Sequence, residues 1–197
     1  MSIHPEATIH PSADLHESVV VWAGTRVREN VTIGEGTSLG QSVYVGPGAV
    51  LGRDCKIQNG AMIYEPAVIA DGVFVGPGVV MTNDRYPRAI TPEGAPKTAD
   101  DWDPVGVTVE YGASVGAAAV CVAPITIGTW ATVAAGAVVV SDVAPYGLVV
   151  GVPARRVAWV GRAGRVLDRV DGGWRCPVTG DRFTENEDGS RITPVAS

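Results

Sequence analysis

A polar run, NDRYPR at residues 83–88, interrupts an otherwise regular apolar pattern. Its arginines present planar guanidinium forks, which suit the oxygen atoms of phosphate and carboxylate groups. Its amide, carboxylate and phenol side chains add hydrogen-bonding groups and a flat surface, and its proline stiffens the turn. We therefore predict a substrate-binding run whose candidate contacts are Asp84, Arg85, Tyr86 and Arg88.

The pattern that this run interrupts has a period of six residues. From Ile3 to Val75 every sixth residue is Ile, Leu or Val, the fifth position of each unit is Ala, Val, Thr or Cys, and the pattern resumes at Val109. A period of six is neither helical nor a simple β alternation, and it suits a short strand followed by a tight turn. Three such units close a triangular coil, so side chains one coil apart are expected to stack at the strand spacing of about 4.8 Å.

This register predicts which polar side chains share a face. Asn83 and Glu65 hold the third position of units one coil apart, so we expect them about 5 Å from each other, with Tyr64 beside them. Gln41 and Asn59 hold the third position on the adjoining face. A polar cluster is therefore expected where the chain leaves the solenoid. Long loops that interrupt a compact fold are usually functional or disordered, and we expect this one to be functional.

Composition and charge exclude several classes of protein. The net charge of −6 argues against a surface that wraps nucleic acid or binds an anionic membrane. No apolar stretch approaches the roughly 18 residues that cross a bilayer, and no secretion signal opens the chain, so we expect a cytoplasmic protein. The 3 cysteines show neither a disulfide framework nor a paired metal spacing, so we expect reduced thiols and no metal.

Units such as VGPGAV at 45–50 and VGPGVV at 75–80 resemble the repeats of the hexapeptide-repeat acyltransferase family. The resemblance implies an all-β fold, a left-handed parallel β-helix, in which residues 1–157 form the catalytic domain and residues 82–107 an external loop. Beyond it, apolar residues alternate with arginines in GVPARRVAWVGRAGRVLDRV, which predicts a short amphipathic helix that caps the solenoid. Later turn signals predict a small hairpin-like β tail, so residues 158–197 are expected to form a cap and tail.

The histidines limit the chemistry that this fold can use. His4, His10 and His16 hold the second position of consecutive units and therefore lie on different faces, where they cannot converge on one metal ion. His16 lies nearly four coils from Asn83, about 18 Å along the axis. An acyl transfer without a nearby histidine suits an amine that is already neutral, because a hydroxyl needs a base to become a nucleophile.

A longer run, KIQNGAMIYEPAVIADGVFVGPGVVMTNDRYPRA, together with CPVTG near the end of the chain, narrows the resemblance. It is similar to N-acetyltransferases that acylate the 3-amino group of nucleotide-linked sugars. The resemblance implies a homotrimer that holds acetyl-CoA in the groove between neighbouring subunits, with Asn83 contacting the sugar amine and no dedicated base. Glu65 is the alternative base or an anchor for a hydroxyl group. The candidate substrate contacts outside the loop are Gln41, Asn59 and Tyr64.

The second half of the repeat is expected to hold the arm of CoA, because small side chains let a pantetheine chain approach the backbone. The residues assigned to this role are Gly116, Ala117, Ala134 and Ala135. GVPARRV is similar to the closing motif of the family, which makes Arg155 and Arg156 candidate partners of the CoA phosphates. Ala118, Ala134 and Ser141 depart from the residues that are usual in the family, and this weakens the phosphate assignment more than the acetyl-transfer assignment.

The leading hypothesis is an acetyl-CoA-dependent N-acetyltransferase for a nucleotide-linked 3-amino sugar. A UDP-linked uronate and a dTDP-linked 6-deoxyhexose both fit, because the loop arginines suit a carboxylate and nucleotide phosphates alike. One alternative is a hexapeptide acyltransferase with another amine acceptor or another acyl donor. A second is a trimeric β-helix scaffold without catalysis, which would release no thiol from acetyl-CoA.

Overall fold

The computed structural model describes residues 2–195, and nearly all of their regular structure is β. Two-residue strands succeed one another up to the polar run: β1 (Ser2–Ile3), β2 (Thr8–Ile9), β3 (Asp14–Leu15), β4 (Val20–Val21), β5 (Arg26–Val27), β6 (Thr32–Ile33), β7 (Ser38–Leu39), β8 (Tyr44–Val45), β9 (Val50–Leu51), β10 (Lys56–Ile57), β11 (Met62–Ile63), β12 (Val68–Ile69), β13 (Phe74–Val75) and β14 (Val80–Met81). After the loop follow β15 (Val107–Val109), β16 (Ser114–Val115), β17 (Val120–Cys121), β18 (Ile125–Ile127), β19 (Thr132–Val133), β20 (Val138–Val139), β21 (Gly147–Val150) and β22 (Arg155–Trp159). The tail holds β23 (Asp168–Val170), β24 (Gly173–Arg175), β25 (Arg182–Glu185) and β26 (Ile192–Pro194).

The strands stack into three faces of a triangular solenoid. The first face has the order β1-β4-β7-β10-β13-β16-β19-β21-β22, the second β2-β5-β8-β11-β14-β17-β20, and the third β18-β15-β12-β9-β6-β3. All pairings in these faces except that of β21 with β22 are parallel. Residues eighteen apart are in register up to β14, as Met62 is with Val80. The predicted left-handed parallel β-helix is confirmed. We call the turns between the first and second faces the first corner, and those between the second and third faces the second corner.

The core of the solenoid consists of the first and fifth positions of each unit. Ile57 and Ile63 at first positions and Ala61 and Ala67 at fifth positions are all buried. At the open N-terminal end the stacking stops, and Ile3 is 38% exposed. Because these two positions fill the interior, side chains at the second, third and sixth positions face outward and are free to form binding surfaces.

The corners require a backbone conformation that favours glycine. The fourth position of many units is left-handed: Gly48 has a φ of +68°, and Ala118 adopts +56° although it carries a Cβ. These turns are tight enough to let one two-residue strand follow another. They also fix the third-position side chains at the edges of the solenoid, where the candidate site lies.

The short C-terminal helix predicted from the arginine-rich segment is wrong, because the described residues form strands there. β22 pairs antiparallel with β21 on the first face, so the structure replaces the helix with a hairpin. Trp159 is buried and Val157 is 59% exposed, which is the alternation of a strand. Gly161 and Gly164 follow at once and disfavour a helix, and Gly164 has a left-handed φ of +68°. The division of the chain at residue 157 stays a prediction, and β22 crosses it.

The tail is larger than the hairpin that the turn signals predict. Strands β23, β24, β25 and β26 form a four-stranded antiparallel sheet. Its side chains form a second hydrophobic cluster with Tyr146 and Trp159 from the end of the solenoid. In the CPVTG turn, the backbone N–H of Cys176 donates to the carbonyl of Asp181 at 2.8 Å. Within residues 2–195 no helix is long and apolar enough to cross a membrane.

Candidate active site

The register of the second face brings Glu65 and Asn83 to the same corner. Ile63 of β11 pairs with Met81 of β14, so the two third-position residues that follow them lie one coil apart at the second corner. This is the arrangement that the hexads predict. Thr82 is held in place as well, since its N–H donates to the carbonyl of Cys121 at 2.9 Å and its Oγ1 accepts from the N–H of Ala123 at 3.0 Å.

The loop that follows Asn83 returns to the corner from which it departs. The N–H of Val105 donates to the carbonyl of Asn83 at 3.0 Å, which closes the base of the loop. Gly106 lies so close to the carbonyl of Pro66 that a Cβ there would overlap it. Because both ends of the loop are anchored beside Glu65 and Asn83, the loop folds over these two residues.

The loop also has structure of its own. Ile90 and Pro96 form an antiparallel bridge, and the Lys97 N–H donates to the Ala89 carbonyl at 3.0 Å. A short 3-10 turn, Ala99–Asp101, is capped by Thr98 and the Asp101 carboxylate, which lowers the pKa of Asp101 through hydrogen bonds from Thr98. The loop is therefore an ordered wall and not a solvated flap.

A cavity of about 300 Å³ lies between this loop and the second face. Its lining residues are Tyr44, Tyr64, Glu65, Asn83, Asp84, Arg88, Lys97 and Trp102. Five of them are site residues predicted from the sequence: Tyr64, Glu65, Asn83, Asp84 and Arg88. Tyr44 and Lys97 were not predicted, and Trp102 was not assigned to the site. The register could have identified Tyr44, which pairs with Met62 one coil away, but no periodicity marks a loop lysine.

Two other predicted loop residues face a different cavity. Arg85 and Tyr86 line a space of about 340 Å³ behind Asp84, Lys97 and Trp102. The Arg85 guanidinium carbon lies 5.5 Å from the centre of the Tyr86 ring, a cation–π contact. The structure thus divides the polar run: its first residues and Arg88 face Glu65, and Arg85 and Tyr86 face away.

Glu65 differs from Asn59 and Asp71, which hold the same position in neighbouring units. The Oδ1 of Asn59 accepts the N–H of Gln41, one coil earlier, at 2.8 Å, and Oδ1 of Asp71 accepts the N–H of Arg53 at 2.7 Å. The residue one coil before Glu65 is Pro47, which has no N–H to donate.

The Glu65 carboxylate is consequently left with an unused acceptor. Its Oε2 is buried and has no hydrogen-bond partner among the described residues. Gly46 provides the space, because a Cβ at that position would overlap this oxygen. Buried carboxylate oxygens are nearly always paired, so the missing partner marks Glu65, which also lines the cavity, as a candidate functional residue.

Tyr44 and Tyr64 form the aromatic wall of the cavity, and Arg28 in the preceding coil contacts Tyr44. The rings of Tyr44 and Tyr64 lie 5.2 Å apart with a tilt of 47°. Arg28 donates to the Tyr44 hydroxyl at 3.3 Å and pairs with Glu29 at 2.8 Å. The Arg28 hydrogen bond lowers the pKa of Glu29 to about 2, so the pair is charged at neutral pH and keeps Tyr44 in place.

The remaining predicted contacts lie elsewhere. Gln41 and Asn59 line a separate cavity of about 320 Å³ on the first face, at the first corner. His10 and His16 lie in the first coil, where their Nδ1 atoms bond the hydroxyls of Ser12 and Ser18 at 2.8 Å. No group of three or more potential metal ligands occurs within residues 2–195.

The residues predicted to hold CoA form a column of small side chains at the first corner. A Cβ on Gly76 would stand 2.6 Å from the nitrogen of Ala117, and one on Gly116 would stand 2.5 Å from the nitrogen of Ala135. The backbones of successive coils are therefore in close contact here, and only glycine fits at these two positions. Ala134 belongs to the same column, where its N–H donates to the Val149 carbonyl at 2.9 Å.

The two candidate phosphate contacts differ in the contacts that they already make within the protein. Arg156 donates to the carbonyl of Gly189 at 2.7 Å, and its guanidinium lies 4.0 Å from the centre of the Trp159 ring. These contacts join the solenoid to the tail. Arg155 is exposed and donates only to the carbonyl of Ala154 at 2.8 Å among the described residues, so it is the better placed of the two to meet an anion.

Comparison with known protein families gives the identity of the repeat. A profile described as bacterial transferase hexapeptide (six repeats) matches residues 48–83, and one described as hexapeptide repeat of succinyl-transferase matches residues 30–65 and 106–141. Residues 30–83 and 106–141 therefore carry the hexapeptide repeat of bacterial transferases. The matched segments flank the loop and include both Glu65 and Asn83. A comparison with curated protein sequences found no match.

A solved structure shares the fold of this chain. A Bacillus cereus protein assigned as an acetyltransferase superposes with a TM-score of 0.63 at 17% identity, over 79% of this chain and 85% of that one. Perosamine N-acetyltransferase from Caulobacter crescentus, solved as a point mutant with CoA and GDP-perosamine, is 26% identical over 80% of this chain with a TM-score of 0.40. This chain spans 58% of that protein's length. The first likeness supports the β-helix fold alone, and the second says nothing about the substrate of this chain.

Proposed function

We propose that this hexapeptide-repeat protein is an acetyl-CoA-dependent N-acetyltransferase that acts on the 3-amino group of a nucleotide-linked sugar. The observation that carries the proposal is the pairing of Asn83 with the unpartnered Glu65 carboxylate under a loop that brings Arg88 and Lys97. An amine needs hydrogen-bond acceptors to orient it, and both residues provide acceptors. The sugar and its phosphates need donors and cations, and the loop provides these.

In the proposed reaction Asn83 orients the nucleophile. Its side-chain oxygen accepts one N–H of the neutral amine, so that the nitrogen lone pair points at the acyl carbon. Acetyl-CoA supplies the acetyl group as a thioester, and the departing sulfur takes up the proton that the amine loses. The C–N bond forms as the C–S bond breaks, so no metal or histidine is needed to balance the step.

Glu65 has a supporting role in the same scheme. An amine that arrives as an ammonium ion must lose a proton before it attacks, and the Glu65 carboxylate, which lines the cavity, is the proposed acceptor. If the amine arrives neutral, the same oxygen accepts a hydrogen bond from a sugar hydroxyl instead. Trp102 and the tyrosine pair give the cavity apolar walls, which suit the face of a sugar ring.

The residues of the first corner fit the CoA arm that the proposal requires. The side chains along this corner, Gly116, Ala117, Ala134 and Ala135, are small and leave its outer surface low. Arg155 supplies an exposed cation near the same end of the groove, since it pairs with Val150 of the neighbouring strand. These residues would bind CoA and exclude water from the groove.

We also propose that the protein is a homotrimer. From β11 onward the second face carries outward apolar side chains, beginning with Met62, which is 43% exposed. Val80, Val120 and Val138 continue the strip and are half-buried. Such a strip is costly to leave in water and would be buried by association. Met62→Glu should shift the mass measured by light scattering from trimer to monomer, and Thr108→Glu on the third face should not.

The proposed function is tested by following the release of free thiol from acetyl-CoA. The protein is incubated with UDP- and dTDP-linked 3-amino sugars, and the acetylated product is identified by mass spectrometry. Thiol release that depends on the amino sugar supports the proposal. No thiol release with any of these sugars, and no binding of CoA by calorimetry, would leave the non-catalytic scaffold as the better interpretation.

A further inference from the structure

A further cavity lies where the C-terminal end of the solenoid meets the tail. Its volume is about 550 Å³, which is within the range of small-molecule sites. We call it the seam cavity. Two aromatic residues of the solenoid line it, together with a ring and charged side chains of the tail: Trp130, Tyr146, Phe183, Arg162, Asp181 and Arg182.

The seam cavity lies apart from the candidate active site. Trp130 stands in the turn between β18 on the third face and β19 on the first face, and we call the turns between these two faces the third corner. Tyr146 follows one coil later at the same corner, where its N–H donates to the carbonyl of Thr129 at 2.9 Å. The third corner is opposite the second face, so the proposed trimer would leave the seam cavity open to solvent.

Both solenoid aromatics have an unusual backbone conformation. The φ of Trp130 is +58° and that of Tyr146 is +63°, in the left-handed region that is unfavourable for bulky side chains. The other non-glycine residues with a positive φ in the described part of the chain are smaller: Asn30, Ser42, Asp54 and Ala118. Strained backbone is concentrated at ligand sites and other functional sites, so two strained aromatic residues at one cavity point to a ligand.

Packing accounts for Tyr146 better than for Trp130. Tyr146 is buried, and its ring centre lies 5.0 Å from that of Phe183, so contact with the tail offsets its strain. Trp130 is half-buried and meets the Tyr111 ring edge-on at 5.3 Å. Gly112 makes room for it, because a Cβ there would stand 2.6 Å from the indole. The rest of the indole is available to a flat ligand in the cavity.

The tail side of the seam cavity carries positive charge without a counterion. Arg175 of β24 and Arg182 of β25 lie directly opposite each other, and like charges in such pairs repel. Neither arginine forms an ion pair within residues 2–195. Arg182 lines the cavity, and a guanidinium nitrogen of Arg175 lies 3.9 Å from where a Cβ on the lining residue Gly180 would stand. An anion beside both arginines would relieve their repulsion.

The other charges at the cavity do not cancel this effect. Asp181 is the carboxylate of the lining, and Arg162 pairs with it at 2.9 Å. Arg182 donates only to the backbone carbonyl of Asp171, at 3.1 Å, among the described residues. The charge that remains at the cavity is therefore positive.

The distribution of charge along the chain agrees with this local excess. Residues 155–197 hold 8 of the 15 lysines and arginines but only 6 of the 21 aspartates and glutamates. This segment is basic in a chain whose net charge is −6. An anion is therefore repelled by most of the surface and attracted to the tail.

We propose that the seam cavity binds a small planar anion. Its ring packs against Trp130, and its phosphate or carboxylate meets Arg182 and Arg175, whose guanidinium forks match either group. The binding is noncovalent. It is separate from the proposed acetyl transfer and does not rest on it.

The first test measures binding to the full chain by calorimetry, using two anions and their neutral counterparts. Inosine 5′-monophosphate is compared with inosine, and indole-3-carboxylate with indole-3-carboxamide. At least one anion should bind about tenfold more tightly than its neutral counterpart, and the anion that does so identifies phosphate or carboxylate as the group recognised. No binding of either anion, or equal binding of each anion and its counterpart, overturns the proposal.

The second test locates the bound anion. Trp130→Ala and Arg182→Ala should each weaken its binding by about tenfold. Arg182 is exposed, so Arg182→Ala should keep the native melting temperature and decides the question even where Trp130→Ala is unstable. Arg165→Ala is the matched control, because Arg165 is an exposed arginine of the same segment that does not line the cavity. Native affinity in Arg182→Ala, or an equal loss in Arg165→Ala, overturns the proposal.

A third variant, Arg88→Ala, separates the seam cavity from the candidate active site. Arg88 lines the cavity beside Asn83, and Arg88→Ala should bind the anion like the native protein. Binding that is lost in Arg88→Ala and kept in Arg182→Ala would place the anion beside Asn83 and overturn the proposal. Because no acetyl transfer is measured, a failure of the proposed function would leave these results unchanged.

Discussion

Pro47 lies one coil before Glu65, and this explains why the Glu65 carboxylate is unpaired. At the equivalent place before Asn59, Gln41 donates its N–H to the side-chain oxygen at 2.8 Å. Proline removes this donor, and Gly46 beside it leaves space for the carboxylate. Two residues that serve the turn thus leave a buried acceptor without a partner beside the cavity.

The first prediction concerns this missing donor. Pro47→Ala restores an N–H opposite Glu65 and should raise the free energy of unfolding by about 1 kcal/mol, the gain from a hydrogen bond to a charged group less the lost rigidity of proline. Turnover should fall severalfold, because the carboxylate is then occupied. Urea unfolding and steady-state kinetics measure the two effects.

Pro77→Ala is the matched control for that change. Pro77 also holds a third position, but the residue paired with it in the next coil is Ala117, which has no side-chain acceptor. The free energy of unfolding of Pro77→Ala should fall by a few tenths of a kcal/mol, because the rigidity of proline is lost and no hydrogen bond is gained. Equal stability changes at the two prolines would contradict the role given to Pro47.

The second prediction concerns Asn83. Its backbone carbonyl accepts the N–H of Val105, but its side chain makes no hydrogen bond within the described residues. Asn83→Ala should therefore leave the melting temperature and CoA binding unchanged, while kcat falls by about 100-fold or more through loss of amine orientation. Native turnover in this variant would remove Asn83 from the mechanism.

The fold could be predicted because each hexad specifies its own turn and its own two inward side chains. The pairing of Ile63 with Met81, and with it the meeting of Glu65 and Asn83, follows from counting eighteen residues. The missing partner of the Glu65 carboxylate could also have been predicted, because Pro47, which has no N–H, lies eighteen residues before it. Sequence reasoning missed it by considering side chains and not the backbone donors beneath them.

The loop and the C-terminal segment could not be predicted in this way. Lys97 and Trp102 reach the cavity through bridges and caps inside the loop, which have no period. In the C-terminal segment, valines between arginines suit a helix and a strand equally. The segment forms a strand because it pairs with β21 and because Trp159 is buried. Such tertiary contacts override local propensity.

The third prediction concerns strain at a corner. Ala118 is exposed and has a φ of +56°, a conformation in which a Cβ is unfavourable. Ala118→Gly should raise the free energy of unfolding by about 0.5 to 1 kcal/mol. Ala135→Gly, in the next coil at a position without positive φ, should lower it by a similar amount. In urea unfolding the two variants should change the free energy of unfolding in opposite directions. A loss of stability in both would contradict the prediction.

The fourth prediction concerns stability at alkaline pH. Burial raises the pKa of the Cys121 thiol to about 12, above its ordinary value of 9.0. Between these values the unfolded chain releases the proton while the folded chain keeps it, so stability that is present below pH 9.0 is lost as the pH rises towards 12. Cys121→Val places the residue usual at first positions there and removes this loss. Between pH 8 and 10.5 the variant should lose about 2 kcal/mol less than the native protein in urea unfolding, and parallel losses would show that the thiol does not titrate on unfolding.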